Sequence, residues 1–235
     1  MRPDDPPAAA DYSADPRARR AEWHRYYSAK RIGHQWLQVA LLAGLEIESV
    51  LEIGPYLGLV SALLDNAGYR VTTLDLQPAQ YPHPRIAHRQ GDLRTLRPAD
   101  LGGFDGILCC ETLEHLPWDE VDRVLALLAQ AGARHLVISV PYEGFQIAWR
   151  FYLNWFTVRS ATALKKFRWF KTFRPGADPH GHRWELGYRG FGVAAFEAKL
   201  AAAGLRVRRR EFSSPTRSVF YLLDPAATPA QPAPR

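Results

Sequence analysis

Val50–Gly58, V-L-E-I-G-P-Y-L-G, is the stretch that decides the fold. An apolar run closes on an acid and two glycines, and an amphipathic pattern follows from about Leu59 to Ala67. Strand, tight glycine turn and helix N-terminus, in that order, make the place where an α/β sheet holds a nucleotide-like ligand. The turn lets the backbone approach, and the helix presents free N–H groups and its positive end. A second apolar strand, V-T-T-L-D, ends on Asp75, where an acid can accept hydrogen bonds from both hydroxyls of a ribose.

Outward from this point, strand and helix patterns alternate. A helical region spans about Glu22 to Leu45, and strand one is Ser49 to Ile53. Its helix stops near Gly68, a good left-handed terminus. Strand two is Arg70 to Leu74, and a short third strand, Arg85 to His88, leads into G-D-L at Gly91 to Leu93. Strand four, Gly103 to Cys110, runs into a helical turn carrying E-T-L-E-H. A helix capped by Asp119 and closed by Gly132 follows, then strand five, His135 to Val140. Beyond residue 190 come a helix at about Val193 to Ala203 and two strands, Leu205 to Phe212 and Ser218 to Leu223, with no helix between them. This order predicts a mainly parallel sheet with helices on both faces and an antiparallel hairpin at one edge.

Composition narrows the class. Of 235 residues 47% are hydrophobic and 23% charged, the balance of a globular chain. No apolar run approaches the ~20 residues that span a bilayer, and the N-terminus has acids and prolines where a signal peptide has an apolar core. A cytoplasmic location is expected. The only cysteines, Cys109 and Cys110, are adjacent on a strand and so point to opposite faces, which argues against a disulfide and against a zinc site. Residues 1–18 and 224–235, rich in Pro and Ala, read as a disordered arm and tail. The net charge of +6 is carried by one segment. Between Phe145 and Glu185 eight Lys/Arg face two acids, and the rest of the chain is balanced.

The series V-L-E-I-G-P-Y-L-G, V-T-T-L-D-L, G-D-L and F-D-G-I-L-C-C-E-T-L-E-H-L resembles the motif ladder of class I S-adenosylmethionine-dependent methyltransferases over about Val50 to Pro141. The last block is most similar to the branch that includes ubiquinone-biosynthesis O-methyltransferases. The resemblance implies a three-layer, Rossmann-like, doubly wound α/β sheet, mainly parallel with an antiparallel last strand. It makes residues 19–223 a single methyltransferase domain with a basic aromatic lid insertion at 142–190. S-adenosylmethionine is the implied cofactor. Glu52 would order the loop or reach the cofactor's ammonium, and Gly54 and Gly58 would admit its methionine part. Asp75 and Leu76 would meet the ribose side, Asp92 and Leu93 the adenine, and Cys110 would offer backbone contacts. Tyr56 stands where the family has glycine, so its side chain must leave the turn or pack on the cofactor's edge. A nicotinamide-dependent dehydrogenase would instead want G-x-G-x-x-G after strand one, whereas here the spacing is G-x-x-x-G.

Methyl transfer from a sulfonium requires in-line alignment and, for a hydroxyl acceptor, a base. Two groups offer one. In E-T-L-E-H, Glu111, Glu114 and His115 resemble a metal-associated cluster of the ubiquinone-type enzymes, but the favoured reading has Glu111 ordering the loop and His115 packed beneath the site, with no metal assigned. In H-G-H-R-W-E, His180, His182 and Glu185 have ligand-like spacing and can also place a base over the methyl group. The other reading of that loop is a hydrogen-bonded stitch anchored by Trp184. The expected catalytic set is His182, His180, Glu185 and His115.

Residues 145–174 interleave aromatics with cations. Trp149, Tyr152, Phe156, Ala163, Phe167 and Phe170 fall near one helical stripe, with Lys165, Lys166 and Arg168 away from it. The expectation is an amphipathic helical lid over a small-molecule acceptor. Peripheral contact with an anionic membrane is the next reading, and nucleic acid the weakest, since no binding module for it accompanies the patch. A protein of this fold that binds cofactor or partner without turnover is the non-enzymatic alternative, and a lipid-like or RNA acceptor the enzymatic one. The oligomeric state is not legible.

Overall fold

Two helices precede the sheet in the structure, a computed structural model that describes residues 15–165, 171–213 and 218–226. Helix α1 (Pro16–Tyr26) starts where Asp15 accepts from the N–H groups of Arg17 and Ala18 and Pro16 supplies a preset φ. Helix α2 (Ala29–Ala40) is capped by Ser28. The expectation of a disordered arm over residues 1–18 is corrected at 15–18, where the Asp-Pro pair begins a helix. Residues 1–14 lie outside the described residues.

The alternation then proceeds as β1 (Ser49–Ile53), α3 (Leu59–Asn66), β2 (Arg70–Asp75), β3 (Ala87–Gln90), β4 (Gly106–Cys110), α4 (Val121–Ala129) and β5 (His135–Pro141). Two further strands, β6 (Gln146–Asn154) and β7 (Thr157–Lys165), stand apart before α5 (Val193–Ala202), β8 (Leu205–Phe212) and β9 (Ser218–Pro225). The main sheet has the order β3-β2-β1-β4-β5-β9-β8. Strands β1 to β5 are mutually parallel, and β9 enters antiparallel between β5 and β8. The expected edge hairpin is present, with its second strand inside. The expected tail is shortened too: Asp224 and Pro225 belong to β9, where Asp224 Oδ1 lies 2.8 Å from His135 Nδ1. Residues 227–235 lie outside the described residues.

The strands are buried on both faces, so they read as apolar runs. Leu51, Ile53, Ile107 and Cys109 pack with α4 and α5 on one side. Val50, Leu108, Cys110 and Phe220 pack with α2 and α3 on the other. The two cysteines do point to opposite cores, and both are free and buried. Trp184, Phe196 and Tyr221 are the largest fully buried side chains of the first core, at relative exposures of 0%.

The segment expected to be a helical lid is instead a β-hairpin. Strands β6 and β7 pair antiparallel from Gln146↔Lys165 to Asn154↔Thr157 and share no ladder with the main sheet. Aromatics fill this segment so densely that a period of 3.6 and a period of 2 both find matches. The run Ile147, Trp149, Phe151, Leu153 is the period-2 set, and Asn154 settles the choice by closing a two-residue turn. Its Oδ1 accepts from the N–H groups of Phe156 and Thr157 at 2.9 and 2.8 Å. Phe167 and Phe170, part of the expected stripe, lie outside the described residues.

Candidate active site

Strand order reverses between β1 and β4, which leave in opposite lateral directions and open a crevice beyond their C-terminal ends. The loop after β1 forms its floor. Gly54 has φ of 73°, and a Cβ there would stand 2.7 Å from Thr112 Oγ1. Gly58 has φ of 78°, begins α3, and a Cβ there would collide with the Tyr81 side chain. Both positions need glycine for conformation and for space.

Tyr56, between them, adopts φ of 48° despite its side chain. Its ring leaves the turn: the hydroxyl donates to Glu22 Oε1 at 2.7 Å, and the ring packs on Tyr26 with centroids 4.5 Å apart. Of the two outcomes expected for Tyr56, this is the first, and its side chain serves to bind α1 to the loop. Arg31 of α2 stacks in turn on Tyr26, its guanidinium carbon 3.9 Å from the ring centroid.

Glu52 is buried in β1 and accepts from Ser61 Oγ of α3 at 2.5 Å. Burial pushes its pKa up to about 7; the Ser61 bond opposes that shift and Asp75 adds to it. Asp75, at the tip of β2, is half-buried and accepts from Gln77 N at 3.0 Å, and burial raises its pKa. Leu76 beside it is 50% exposed, an apolar surface next to the carboxylate. Asp92 lies just past β3 with Arg94 clasping it: Nε is 2.9 Å from Oδ2 and the Arg94 N–H 2.8 Å from Oδ1. Burial raises the Asp92 pKa, but the Arg94 bonds outweigh it and the net shift is downward. Much of its acceptor capacity is thus taken by a neighbour two residues on. Leu93 is buried in the core, with its carbonyl accepting from Arg123, and so does not present a free face for adenine. Cys110 Sγ points into the opposite core, 3.7 Å from Val137 O, leaving only its backbone at the crevice.

The loop after β4 forms the other wall. Thr112, against Gly54, also donates to Cys110 O at 3.1 Å. Glu111 has φ of 51° and is riveted to the sheet, its carboxylate accepting from Ser139 Oγ (2.8 Å) and Ser218 Oγ (3.0 Å), with His34 Nε2 at 4.0 Å. A loop-ordering role for Glu111 was one of the sequence readings, and this geometry fits it.

Leu113–His115 is a turn of 3-10 helix that carries Glu114 and His115 toward the H-G-H-R-W-E loop. That loop is stitched in place by Arg183 N to Glu114 O (2.7 Å), Trp184 Nε1 to Leu116 O (3.0 Å) and Leu186 N to Pro141 O (3.0 Å). Trp184 anchors it edge-on to Trp118 at 4.7 Å. The stitch brings His182 over His115, with ring centroids 5.1 Å apart. His182 Nδ1 lies 2.9 Å from Glu185 Oε1, and Nε2 faces Glu114 Oε1 at 4.0 Å. Asp178 holds the loop through the N–H groups of His180 and His182. His180 itself is exposed, its ring 5.6 Å from that of His182.

Glu114 is fully buried, and both carboxylate oxygens lack a hydrogen-bond partner among the described residues. Burial, with Glu111 nearby, drives its pKa well above the usual range. Burial, with His182 alongside, lowers that of His115 to about 4, so its ring is neutral at pH 7. Ligand atoms of Glu114, His115 and His182 all lie within 4.8 Å of one another, and those of Asp178, His182 and Glu185 form a second, overlapping group. Two imidazole nitrogens and a buried carboxylate suit a divalent cation, and an unpartnered buried carboxylate is stabilised by a cation or a proton. A 560 Å³ cleft lined by Ser49, Asp65, Tyr69, Arg70, Arg85 and Phe104 lies at the opposite end of the strands and holds none of these groups.

Sequence reasoning missed Tyr26, Arg31, His34 and Tyr81, which close the crevice from α1, α2 and the loop after β2. Only the Asp-Pro and Ser-Ala-Lys helix starts hint that a second layer lies over the loops.

Comparison with known proteins fits this geometry. Residues 51–133 match the family model described as a methyltransferase domain. No curated protein matches the chain in sequence. Among solved structures, magnesium protoporphyrin IX methyltransferase from Synechocystis, with bound S-adenosylmethionine, is similar with TM-score 0.57 and 18% identity, over 94% of this chain and 100% of that one. The 1,6-didemethyltoxoflavin-N1-methyltransferase of Burkholderia thailandensis, with bound S-adenosylhomocysteine, gives 0.56 and 18% over 94% and 93%. The methyltransferase domain of bacterial CtHen1-C gives 0.56 and 16% over 83% and 98%. The glycine crevice and the sheet order thus agree with the match of residues 51–133 to a methyltransferase domain, and the chain shares the fold of these solved methyltransferases.

Proposed function

We propose that the chain transfers the methyl group of S-adenosylmethionine to an oxygen of a small-molecule acceptor, with His182 taking the acceptor's proton. The observation that carries this reading is His182 itself. Glu185 holds one ring nitrogen at 2.9 Å, and the other is turned into the cluster that Thr112 joins to the cofactor loop. An imidazole oriented through Nδ1 by a carboxylate is prepared to accept at Nε2. The acceptor O–H bond then breaks toward Nε2 as oxygen attacks the methyl carbon in line with the departing sulfur. The sulfonium leaves as a neutral thioether. Gly54 and Gly58 would admit the methionine part of the cofactor, and Glu52 and Asp75 would address its ammonium and ribose.

A second reading rests on the two unpartnered oxygens of Glu114. Glu114, His115 and His182 would hold a divalent cation, which supplies Lewis-acid polarisation of the acceptor oxygen. His182 would then be a ligand, and no step of the first reading would pass through it.

Calorimetry with S-adenosylhomocysteine and transfer of labelled methyl from S-adenosylmethionine into a small-molecule extract test the proposal. Saturable binding with label appearing in an O-methyl group supports it. Absence of binding by folded protein removes the cofactor reading, and binding without transfer favours a non-catalytic protein. Transfer abolished by a chelator and restored by one divalent metal selects the second reading.

A further inference from the structure

The hairpin β6–β7 carries two chemically distinct faces. Residues opposite one another in an antiparallel ladder share a face. The register therefore puts Ile147, Trp149, Phe151 and Leu153 together with Val158, Ser160 and Thr162 on one side. Trp149 Nε1 reaches Ser160 Oγ at 3.4 Å across that side, and the Trp149 and Phe151 rings lie 6.1 Å apart along it. The other side holds Ala148, Arg150, Tyr152 and Asn154 with Arg159 and Ala161. The large apolar residues of the first side are between 53% and 70% exposed. At the turn, where Asn-Gly or Asp-Gly is the usual choice, stand Trp155 and Phe156, 98% and 95% exposed.

An isolated two-stranded hairpin is marginal in water, and an apolar stripe of this size marks a contact surface. Charge identifies the contact. Residues 145–174 contain seven Lys/Arg and no acid. A second copy of the hairpin would bring two such segments together, so self-association through this face is opposed. A nucleic-acid platform needs cations beside the stacking rings, whereas here Arg150 and Arg159 lie on the face opposite Trp149 and Phe151. Aliphatic and aromatic groups on one side, cations on the other and an indole at the tip are the pattern of an interfacial element on an anionic bilayer.

We propose that β6–β7 is a membrane-docking hairpin. Its apolar face and the Trp155–Phe156 tip enter the headgroup boundary of an anionic lipid bilayer, while Arg150 and Arg159 reach the phosphates along their stems. The hairpin leaves the main sheet directly after β5, at the end that carries the candidate site, and the chain returns from it to the loop of His182. Docking stands independently of which acceptor is methylated.

Flotation of the full chain with vesicles of phosphatidylcholine, alone or with one third phosphatidylglycerol, tests this. Co-flotation is expected with the anionic vesicles at low salt and should decrease in 0.5 M salt, where the Debye length falls to about 4 Å. Trp155→Ala with Phe156→Ala, and separately Phe151→Ser with Leu153→Ser, should each weaken it by about tenfold or more. Arg150→Glu with Arg159→Glu should abolish the preference for anionic lipid. Retained binding of S-adenosylhomocysteine shows that each variant is folded. No co-flotation of the parent chain overturns the proposal, as does equal flotation of all variants. Single-stranded RNA binding without vesicle binding, or a dimer lost in the Phe151→Ser, Leu153→Ser variant, overturns it in favour of those partners.

Discussion

The loops that follow β1 and β4 leave the sheet side by side, and each holds one non-glycine residue in the left-handed region: Tyr56 at φ 48° and Glu111 at φ 51°. Such a conformation costs roughly 1–2 kcal/mol in an L-residue, so something must hold each one. Tyr56 is held from outside the sheet, by Glu22 and Tyr26 of α1. Glu111 is held from within it, by Ser139 of β5 and Ser218 of β9. The contrast extends to the buried acids. Glu52 under the first loop has a hydroxyl partner, whereas Glu114 in the second has none among the described residues. The first loop is a satisfied cradle whose shape depends on a docked helix. The second is a rigid mount for groups whose hydrogen bonding is incomplete, as expected where chemistry rather than stability selects the residues.

His182→Ala has the largest expected effect. If the second loop is mounted for proton transfer, kcat falls by about 10²–10⁴-fold while S-adenosylhomocysteine affinity, set by the first loop, stays within a factor of two to three. Calorimetry and a labelled-methyl assay read the two separately. Turnover close to that of the parent chain removes His182 as the base.

Glu52→Gln examines the satisfied acid. The folded Glu52 pKa of about 7 stands above the ordinary carboxyl value of 4.5. Its contribution to stability is thus complete below pH 4.5 and is lost as pH rises through about 7. The loss amounts to at most about 3 kcal/mol. Chemical denaturation between pH 5 and 8 should show the parent chain declining and the Gln variant nearly flat, with the Gln variant the more stable at pH 8. Parallel profiles for the two would show that Glu52 does not titrate in this window. Cofactor affinity should rise with pH in the parent alone, because an ionised carboxylate is the better partner for an ammonium.

Glu114→Leu addresses the unpartnered acid. Replacing a buried, unsatisfied carboxyl with an apolar side chain of similar volume should raise stability by about 1–3 kcal/mol, and methyl transfer is abolished only if Glu114 holds a divalent cation. Thermal melting checks the first part. A fall in stability would mean that Glu114 has a partner in solution, and recovery of the difference on adding a divalent metal to the parent chain would name it.

How much of this was legible depended on the range of the interactions. Val50–Gly58, Asp75 and the E-T-L-E-H block are local patterns, each confined to one strand end, and strand positions, sheet class and glycine loop follow from them. The convergence of His182 on His115 and Glu114 rests on contacts across 45 residues or more, made through backbone bonds at Arg183 and Leu186 that side-chain identity does not announce. Leu93 illustrates the reverse failure. Its apolar character suits adenine and core equally, and only the packing sends it to the core. The hairpin escaped because Ile147–Leu153 satisfies two periods at once, and helix α1 because its start, Asp15-Pro16, sits in a Pro-rich context that masks a good cap.

Tyr56→Phe is the mildest change and sharpens the comparison most finely. It removes one hydroxyl and leaves the ring on Tyr26, so the direct loss is that of a single hydrogen bond to a carboxylate, about 1–2 kcal/mol. If α1 sets the shape of the first loop, part of that loss should appear in S-adenosylhomocysteine affinity, as a severalfold weakening with kcat at saturation unchanged. Glu22→Leu should weaken binding similarly, and the two together should do little more than either, since both remove the same bond. Strictly additive effects would mean that the hydroxyl and the carboxylate act apart. An effect on melting but none on affinity would mean that the loop holds its left-handed turn without the helix, through the Gly54–Thr112 and Gly58–Tyr81 contacts alone. The equivalent change in the other loop, Ser218→Ala, removes one of two hydroxyls from Glu111 and should leave cofactor affinity untouched, because that carboxylate keeps Ser139.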